Sequence, residues 1–317
     1  MNHPVSPSVA FQPRPPSPLE EIHDERFSRR GVRLLLKRDD LIHTTLPWDT
    51  ETLGPVDLYP PGNKWRKLEP NLRAAAEAGR RTLLTFGGAY SNHLRATAAA
   101  GRLLGYATVG VVRGEELADR PLNWSLTACA ADGMRLRFVD RATYRRKTEP
   151  DVLAGLADDD CFVIPEGGSN AAAARGCAGL GRELRGTADV VGIACGTGGT
   201  LAGLAAGLSG TQRAIGFPVL KGGFLGEEIR RLQHEAFGGP RGDWTLDERF
   251  HCGGYARLSP ELLAFADDFA VRHGMRLERL YVAKMLYGLT ALAEEGAFRQ
   301  GTTVAAVITG ASSLSGV

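Results

Sequence analysis

Lys64 and Lys67 follow Gly62-Asn63 where the sequence turns helical. A spacing of three residues puts both amines on one helical face. The positive end of a helix and a neighbouring cation both favour an unprotonated lysine, the form that attacks a carbonyl. A Lys-x-x-Lys pair is more often a solvated face. What sets this one apart is its position at a helix start, after a long loop. A second run, Cys195-Gly196-Thr197-Gly198-Gly199-Thr200, lies between the strand-like VVGIA and the helix-like LAGLAAGL. Glycines let a backbone approach an anion closely, and the following helix offers free N–H groups and about +0.5 charge. Thr197 and Thr200 add hydroxyl donors, which suits a phosphate monoester. The plain alternative is a tight strand–helix turn with glycines for packing. Two further glycine-rich turns follow strand-like runs: Gly87-Gly88-Ala89-Tyr90-Ser91-Asn92-His93 and Gly310-Ala311-Ser312-Ser313. A reactive lysine together with a phosphate cradle suggests pyridoxal 5'-phosphate held as a Schiff base.

Other chemistries find less support. The 196–200 run is not a Walker A loop, because no Gly-Lys-Ser/Thr follows it. It is not G-x-G-x-x-G either, and no acidic residue ends the next strand to hold a ribose. Ser91-Asn92 can bind a carboxylate or a ring oxygen, although Ser-Asn at such a place is usually a helix N-cap. His93 reads as a packed or surface histidine more readily than as a catalyst. G-x-S-x-G is absent, which argues against a serine hydrolase of that kind. Asp39-Asp40 and the carboxylates at 158–160 have no histidine at ligand spacing, so they read as a strand end and a loop, and no metal site is expected. The five cysteines are scattered without a C-x-x-C pair, as expected of reduced intracellular thiols.

Lys+Arg 38 against Asp+Glu 36 leaves a net charge of +2, so no basic surface marks a nucleic-acid binder. The sequence is 43% hydrophobic, enough to exclude disorder over most of its length, yet no apolar run approaches the ~20 residues that cross a bilayer. The N-terminal stretch is Pro-rich and lacks an apolar h-region, so it reads as an extended arm over 1–18 and not a signal peptide. A cytoplasmic protein is expected.

The elements that must position these residues alternate. Strands are expected at 32–37, 82–86, 107–112, 136–139, 161–164, 190–194, 214–219 and 304–308. Helices are expected at 92–104, 123–131, 150–157, 171–185, 201–208, 225–237, 260–273 and 284–295. A helical pattern from Asn63 ends at Gly79, with Pro70 as a kink or a restart. Residues 39–61 read as a long loop. Strands alternating with 10–15-residue helices predict an α/β fold, with parallel sheets covered on both faces. Ligands in such folds sit beyond the carboxyl ends of the strands, where the glycine-rich turns fall.

Taken together, Gly62-Asn63-Lys64, Arg66-Lys67-Leu68-Glu69, Gly87-Gly88 with Ser91-Asn92, and the Gly196 to Thr200 run resemble the fold-type-II pyridoxal-phosphate enzymes. The resemblance is closest to the 1-aminocyclopropane-1-carboxylate (ACC) deaminase and D-cysteine desulfhydrase family, in the tryptophan synthase beta-like superfamily. It runs from about residue 15 to 310 and includes PSPL at 16–19, Lys37-Arg38-Asp39-Asp40 and VLKGG at 219–223. It implies a large pyridoxal-phosphate-binding domain at 19–71 and 168–317, and a smaller α/β domain at 72–167 covering the active-site cleft. It implies that Lys64 carries the cofactor and shuttles protons. Asn63 and Asn92 would lie near the ring, Asn92 on its oxygen. Ser91 would meet the substrate carboxylate or leaving side, Gly196, Thr197, Gly198, Gly199 and Thr200 the phosphate, with Lys67 nearby. Tyr255 and Tyr281 match two tyrosines facing the substrate, and the resemblance also implies a homodimer.

The sequence departs from the family pattern at informative places. Pro61 replaces the first glycine of Gly-Gly-Asn-Lys. After the second tyrosine, where the family has Glu in deaminases or Thr in desulfhydrases, stands Val282, which cannot hydrogen-bond a pyridine nitrogen. Ile308-Thr309-Gly310-Ala311 replaces His-Thr-Gly-Gly, so Thr309 becomes the nitrogen's candidate partner. A neutral hydroxyl makes the ring a weaker electron sink, which suits β-elimination better than cyclopropane opening. The expected activity is therefore a lyase or deaminase of a small amino acid, with hydrolase as a further description. In a D-cysteine desulfhydrase-like reaction it would release pyruvate, ammonia and sulfide. ACC deaminase, an amino-acid racemase, and a degenerate pyridoxal-phosphate binder without turnover remain open.

Overall fold

The computed structural model describes residues 16–42, 62–158 and 160–310. The strands are β1 Leu19–Ile22, β2 Arg33–Lys37, β3 Thr82–Gly87, β4 Ala107–Arg113, β5 Met134–Val139, β6 Cys161–Ile164, β7 Val190–Cys195, β8 Arg213–Pro218, β9 Asp243–Leu246 and β10 Thr303–Val307. The described chain forms two compact units, one of residues 62–169 and one of residues 16–42 with 170–310.

In the 62–169 unit four parallel strands lie in the order β5-β4-β3-β6. Their apolar side chains alternate between faces. Leu84, Phe86, Val109 and Val111 pack with Tyr144 and Leu156. Leu94, Ala98, Leu126 and Met134 form a second cluster with Val112. The chain leaves β3 toward β4 and returns on the other side of β3 as β6, so the order reverses between β3 and β6. Ligands bind outside the carboxyl ends of strands at such a reversal.

In the other unit the order is β1-β2-β10-β7-β8-β9, parallel except for β1 against β2. Leu34, Leu36, Val190, Phe217, Val304 and Ala306 join one core with the helices Pro260–His273 and Val282–Glu294. Leu35, Val191, Ile193, Ala305 and Val307 join the other core, under the helices Ala171–Glu183, Gly199–Gly207 and Leu225–Phe237. Both faces of these strands are apolar, as buried parallel sheets require.

Several expectations need correction. Pro70 does not restart its helix, because Lys64–Glu77 is one element with the proline inside it. Asn71 Nδ2 donates to the Lys67 carbonyl at 2.7 Å, and Leu68 and Leu72 are fully buried, so tertiary packing offsets the bond that proline removes. That continuity groups residues 64–77 with the 62–169 unit, whereas the sequence reading gave residues up to 71 to the large domain. Asp39 and Asp40 form a buried 3-10 turn, not a strand end. Asp39 accepts from Ser17 Oγ at 2.6 Å and Asp40 pairs with Arg38. Of the arm expected over 1–18, residues 1–15 lie outside the described residues, and Ser17 is buried, so the fold begins before residue 19. Residues 43–61 of the expected loop also lie outside the described residues.

The helix Gly199–Gly207 sits unusually close to Ala171–Glu183. A Cβ at Gly203 would stand 2.1 Å from the Ala174 carbonyl oxygen, and one at Gly207 2.1 Å from that of Ala178. Gly203→Ala is therefore expected to destabilise the protein by about 2 kcal/mol, read as a lower urea midpoint. Gly155→Ala, where nothing lies within 4 Å, is expected to be neutral or stabilising in the same assay.

Candidate active site

Within the 62–169 unit the expected residues gather at the reversal between β3 and β6. Asn63 is buried, caps the Lys64–Glu77 helix by position, and its Oδ1 finds no hydrogen-bond partner among the described residues. Lys64 is the helix's first residue and is half-buried. Lys67, one turn on, is buried. Its Nζ donates to the Gly167 carbonyl at 3.2 Å and to Ser169 Oγ at 3.0 Å. Ser91 caps the helix Asn92–Leu104, its Oγ accepting from the Leu94 N–H at 3.3 Å. That contact uses an oxygen lone pair and leaves the O–H able to donate. A side chain at Gly87 would meet Ser91 Oγ at 2.5 Å, so glycine there makes room for the cap. Asn92 Oδ1 accepts from Arg95, whose guanidinium stacks over Trp124 at 4.4 Å. Its carbonyl is thereby engaged, and its NH2 group faces the remaining role of donor.

His93 is buried, as the packed reading expected, and its tautomer follows from its neighbour. Thr85 Oγ1 donates to the Ile164 carbonyl at 2.8 Å, so the 2.8 Å contact with His93 Nε2 must use the imidazole's hydrogen. Nδ1 is then a bare acceptor, and it has no hydrogen-bond partner among the described residues. Burial, then the charges of Lys64 and Lys67, hold this histidine neutral, well below its ordinary pKa. Gly168, at φ +68°, stands close enough that a Cβ would lie 3.0 Å from His93 Cε1. The turn at 166–169 after β6 is a fourth glycine-rich strand exit that the sequence reading missed. Its signal was present, since Gly167-Gly168-Ser169 follows the strand CFVI just as the other turns follow theirs.

Within the other unit, the 196–198 turn leaves β7 and opens the helix Gly199–Gly207. Gly198 is left-handed at φ +78°, and a Cβ there would collide with Ile229 at 2.8 Å. The N-cap of this helix is Gly198, which has no side chain to cap it, and Gly199 and Thr200 are buried. β10 pairs β7 with Val304 opposite Val190, a register that carries Thr309 to the level of Cys195. Tyr281 lies against the turn: a Cβ on Gly196 would be 3.3 Å from its ring and 3.5 Å from its hydroxyl. Tyr255 meets Tyr281 edge-on, ring centroids 6.1 Å apart. Val282 is fully buried in the apolar core, so that position offers no hydrogen bond.

These features fit pyridoxal 5'-phosphate. The helix start with its glycines suits the phosphate, and Asn63 Oδ1 and His93 Nδ1, without partners among the described residues, sit in the same unit as Lys64. The candidate residues divide between the two units. Lys64, Lys67, Ser91 and Asn92 stand in one, and Gly196, Thr197, Gly198, Gly199, Thr200, Tyr255, Tyr281 and Thr309 in the other.

The buried neutral His93 sets a pH dependence. A base whose folded pKa is depressed binds its proton better when unfolded. Its contribution to stability is complete above the ordinary value of 6.5 and is lost as pH falls below it. The urea midpoint is expected to fall between about pH 7 and 5, and His93→Asn to flatten that slope.

Comparison with known proteins agrees with this reading. Residues 61–310 match the family described as pyridoxal-phosphate dependent enzymes. A Thermotoga maritima protein named "Putative 1-aminocyclopropane-1-carboxylate deaminase" is 32% identical over 293 residues, covering 86% of this chain and 88% of its own. The D-cysteine desulfhydrase of Klebsiella pneumoniae is 28% identical, covering 86% of this chain and 85% of its own. The crystal structure of an ACC deaminase homologue superposes with a TM-score of 0.75 at 26% identity, covering 95% of this chain and 90% of that one. These relatives are named a deaminase and a desulfhydrase, and the further description as a hydrolase is withdrawn. No helix among the described residues is long and apolar enough to cross a membrane. The chain belongs to the pyridoxal-phosphate dependent enzyme family.

Proposed function

We propose that this pyridoxal-phosphate enzyme catalyses β-elimination from a small amino acid, with D-cysteine or a close analogue as substrate. Lys64 carries the reading. It opens a helix in the unit that also holds Ser91 and Asn92, and its Gly62-Asn63-Lys64 setting resembles the family's cofactor-bearing lysine. When bound, the cofactor supplies an aldehyde that takes an amine and a ring that draws electrons from the substrate's α-carbon.

The chain's own groups then have the following roles. Lys64 would hold the cofactor's aldehyde and, as a neutral amine, would take the substrate's α-proton. Asn92 donates its amide hydrogens to the ring oxygen, and Ser91 its hydroxyl hydrogen to the substrate carboxylate. The N–H groups of Gly198, Gly199 and Thr200, with the Thr197 and Thr200 hydroxyls, receive the phosphate. Thr309 meets the ring nitrogen as a neutral partner. Tyr281 and Tyr255 tune the proton transfer at Lys64. Loss of the α-proton and departure of the β-sulfur as sulfide, followed by water, yield pyruvate and ammonia.

The choice of β-elimination over cyclopropane opening rests on Val282. Its burial in the core leaves no carboxylate there to hold a proton on the ring nitrogen, which keeps the ring a weaker electron sink. The likeness to the Thermotoga maritima protein favours a second reading, ACC deamination. The enzyme is read as a cytoplasmic homodimer, in keeping with its five free cysteines and with the family resemblance.

Keto-acid and sulfide release from D-cysteine, L-cysteine, D-serine and ACC separates these readings. D-cysteine is expected to give pyruvate and sulfide in equal amounts, and Lys64→Ala to lower kcat by about 1000-fold or more. Faster turnover of ACC than of D-cysteine would exchange the two readings, and no keto acid from any substrate would defeat both.

A further inference from the structure

Lys284 has none of its surface exposed, yet the proposed reaction does not use it. It lies one turn into the helix that Tyr281 opens. Its Nζ donates to the carbonyls of His251 and Gly254, each at 2.9 Å. Those carbonyls belong to a loop with an unusual backbone. Cys252, Gly253, Gly254 and Ala256 have φ values of 52°, 88°, 122° and 58°. The two non-glycine residues are disfavoured there, and such a conformation persists only where its surroundings over-determine it. The loop's product is the placement of Tyr255, the residue between Gly254 and Ala256. Its ring meets Tyr281, which lies against Gly196. Tyr281 is fixed from the other side, where Glu278 accepts its backbone N–H at 2.8 Å.

We propose that Lys284 is a positioning residue, whose amine clamps the 251–257 loop so that Tyr255 is held on Tyr281 beside the 196–198 turn. A lysine reaches both carbonyls at once because its amine carries several donors on a flexible stem. Its complete burial keeps water from competing for those carbonyls, and burial also pushes the amine's pKa down. The inference rests on the proposed service of Tyr255 in the reaction.

A double-mutant cycle on the cofactor-loaded enzyme tests it, using the best substrate of the panel. Lys284→Met is expected to lower kcat by about 10-fold or more, as a displaced catalytic group does. In a Tyr255→Ala background the same change should cost less than about 2-fold, because the group it positions is gone. Hydrogen exchange of the 251–257 amides should speed up in Lys284→Met while that of the helix Leu225–Phe237 stays unchanged. Lys284→Gln, which keeps a shorter donor, serves if the methionine variant does not fold, and should fall between it and wild type. Equal losses in both backgrounds, or unchanged loop exchange in a folded variant, would overturn the clamp. A wild-type kcat for Tyr255→Ala would instead overturn the role given to Tyr255, and the exchange data would still judge the clamp.

Discussion

A buried helix cannot leave its first N–H groups without acceptors, and the helix Gly199–Gly207 is buried almost throughout with a glycine, which has no side chain, at its N-cap. This constraint organises its unit. The glycines at 203 and 207 let the helix sink against its neighbour until the carbonyls of Ala174 and Ala178 occupy the place a Cβ would need. Left-handed Gly198 turns the chain sharply enough to aim the helix start beyond the end of β7. A helix start of this kind suits an anionic ligand. Pyridoxal 5'-phosphate, the cofactor of the family, carries such an anion, and this end is the one proposed for its phosphate.

The 62–169 unit answers a different demand, that of holding amines in place away from bulk water. Lys67 is buried against the Gly167 carbonyl and the Ser169 hydroxyl. His93 is fixed as a neutral donor to Thr85, and Thr85 in turn to Ile164. Each partner lies in β3 or β6 or in the turn that follows β6, so the sheet's geometry sets the geometry of the polar groups. The same logic appears in the other unit, where Thr309 and the 196–198 turn leave neighbouring strands.

Much of this architecture could be read from residue order alone, and the reasons differ by element. The helices Asn92–Leu104, Leu225–Phe237 and Pro260–His273 have their expected limits because each ends at a left-handed glycine, at 105, 238 and 274. The strands β1 and β9 and the short helix Arg141–Arg145 escaped, being four or five residues long and largely exposed, without a periodic apolar signal. The lysine, the serine–asparagine cap and the glycine turn were legible as residue types. Their partners were not, because the contacts of Lys67 with Ser169 and Lys284 with Gly254 span 102 and 30 residues. No local pattern encodes such a separation. The continuous helix through Pro70 was hidden for a similar reason, since the packing that rescues it comes from elsewhere in the unit.

The central claim is that Lys64 is the amine that carries the cofactor. The direct measurement is to load the purified protein with pyridoxal 5'-phosphate, reduce it with borohydride, digest it and map the added mass. The account predicts a single modified peptide containing Lys64, whose yield falls when inorganic phosphate competes and when Gly198 is replaced by alanine. Labelling concentrated on another lysine, or a yield indifferent to both changes, would contradict it.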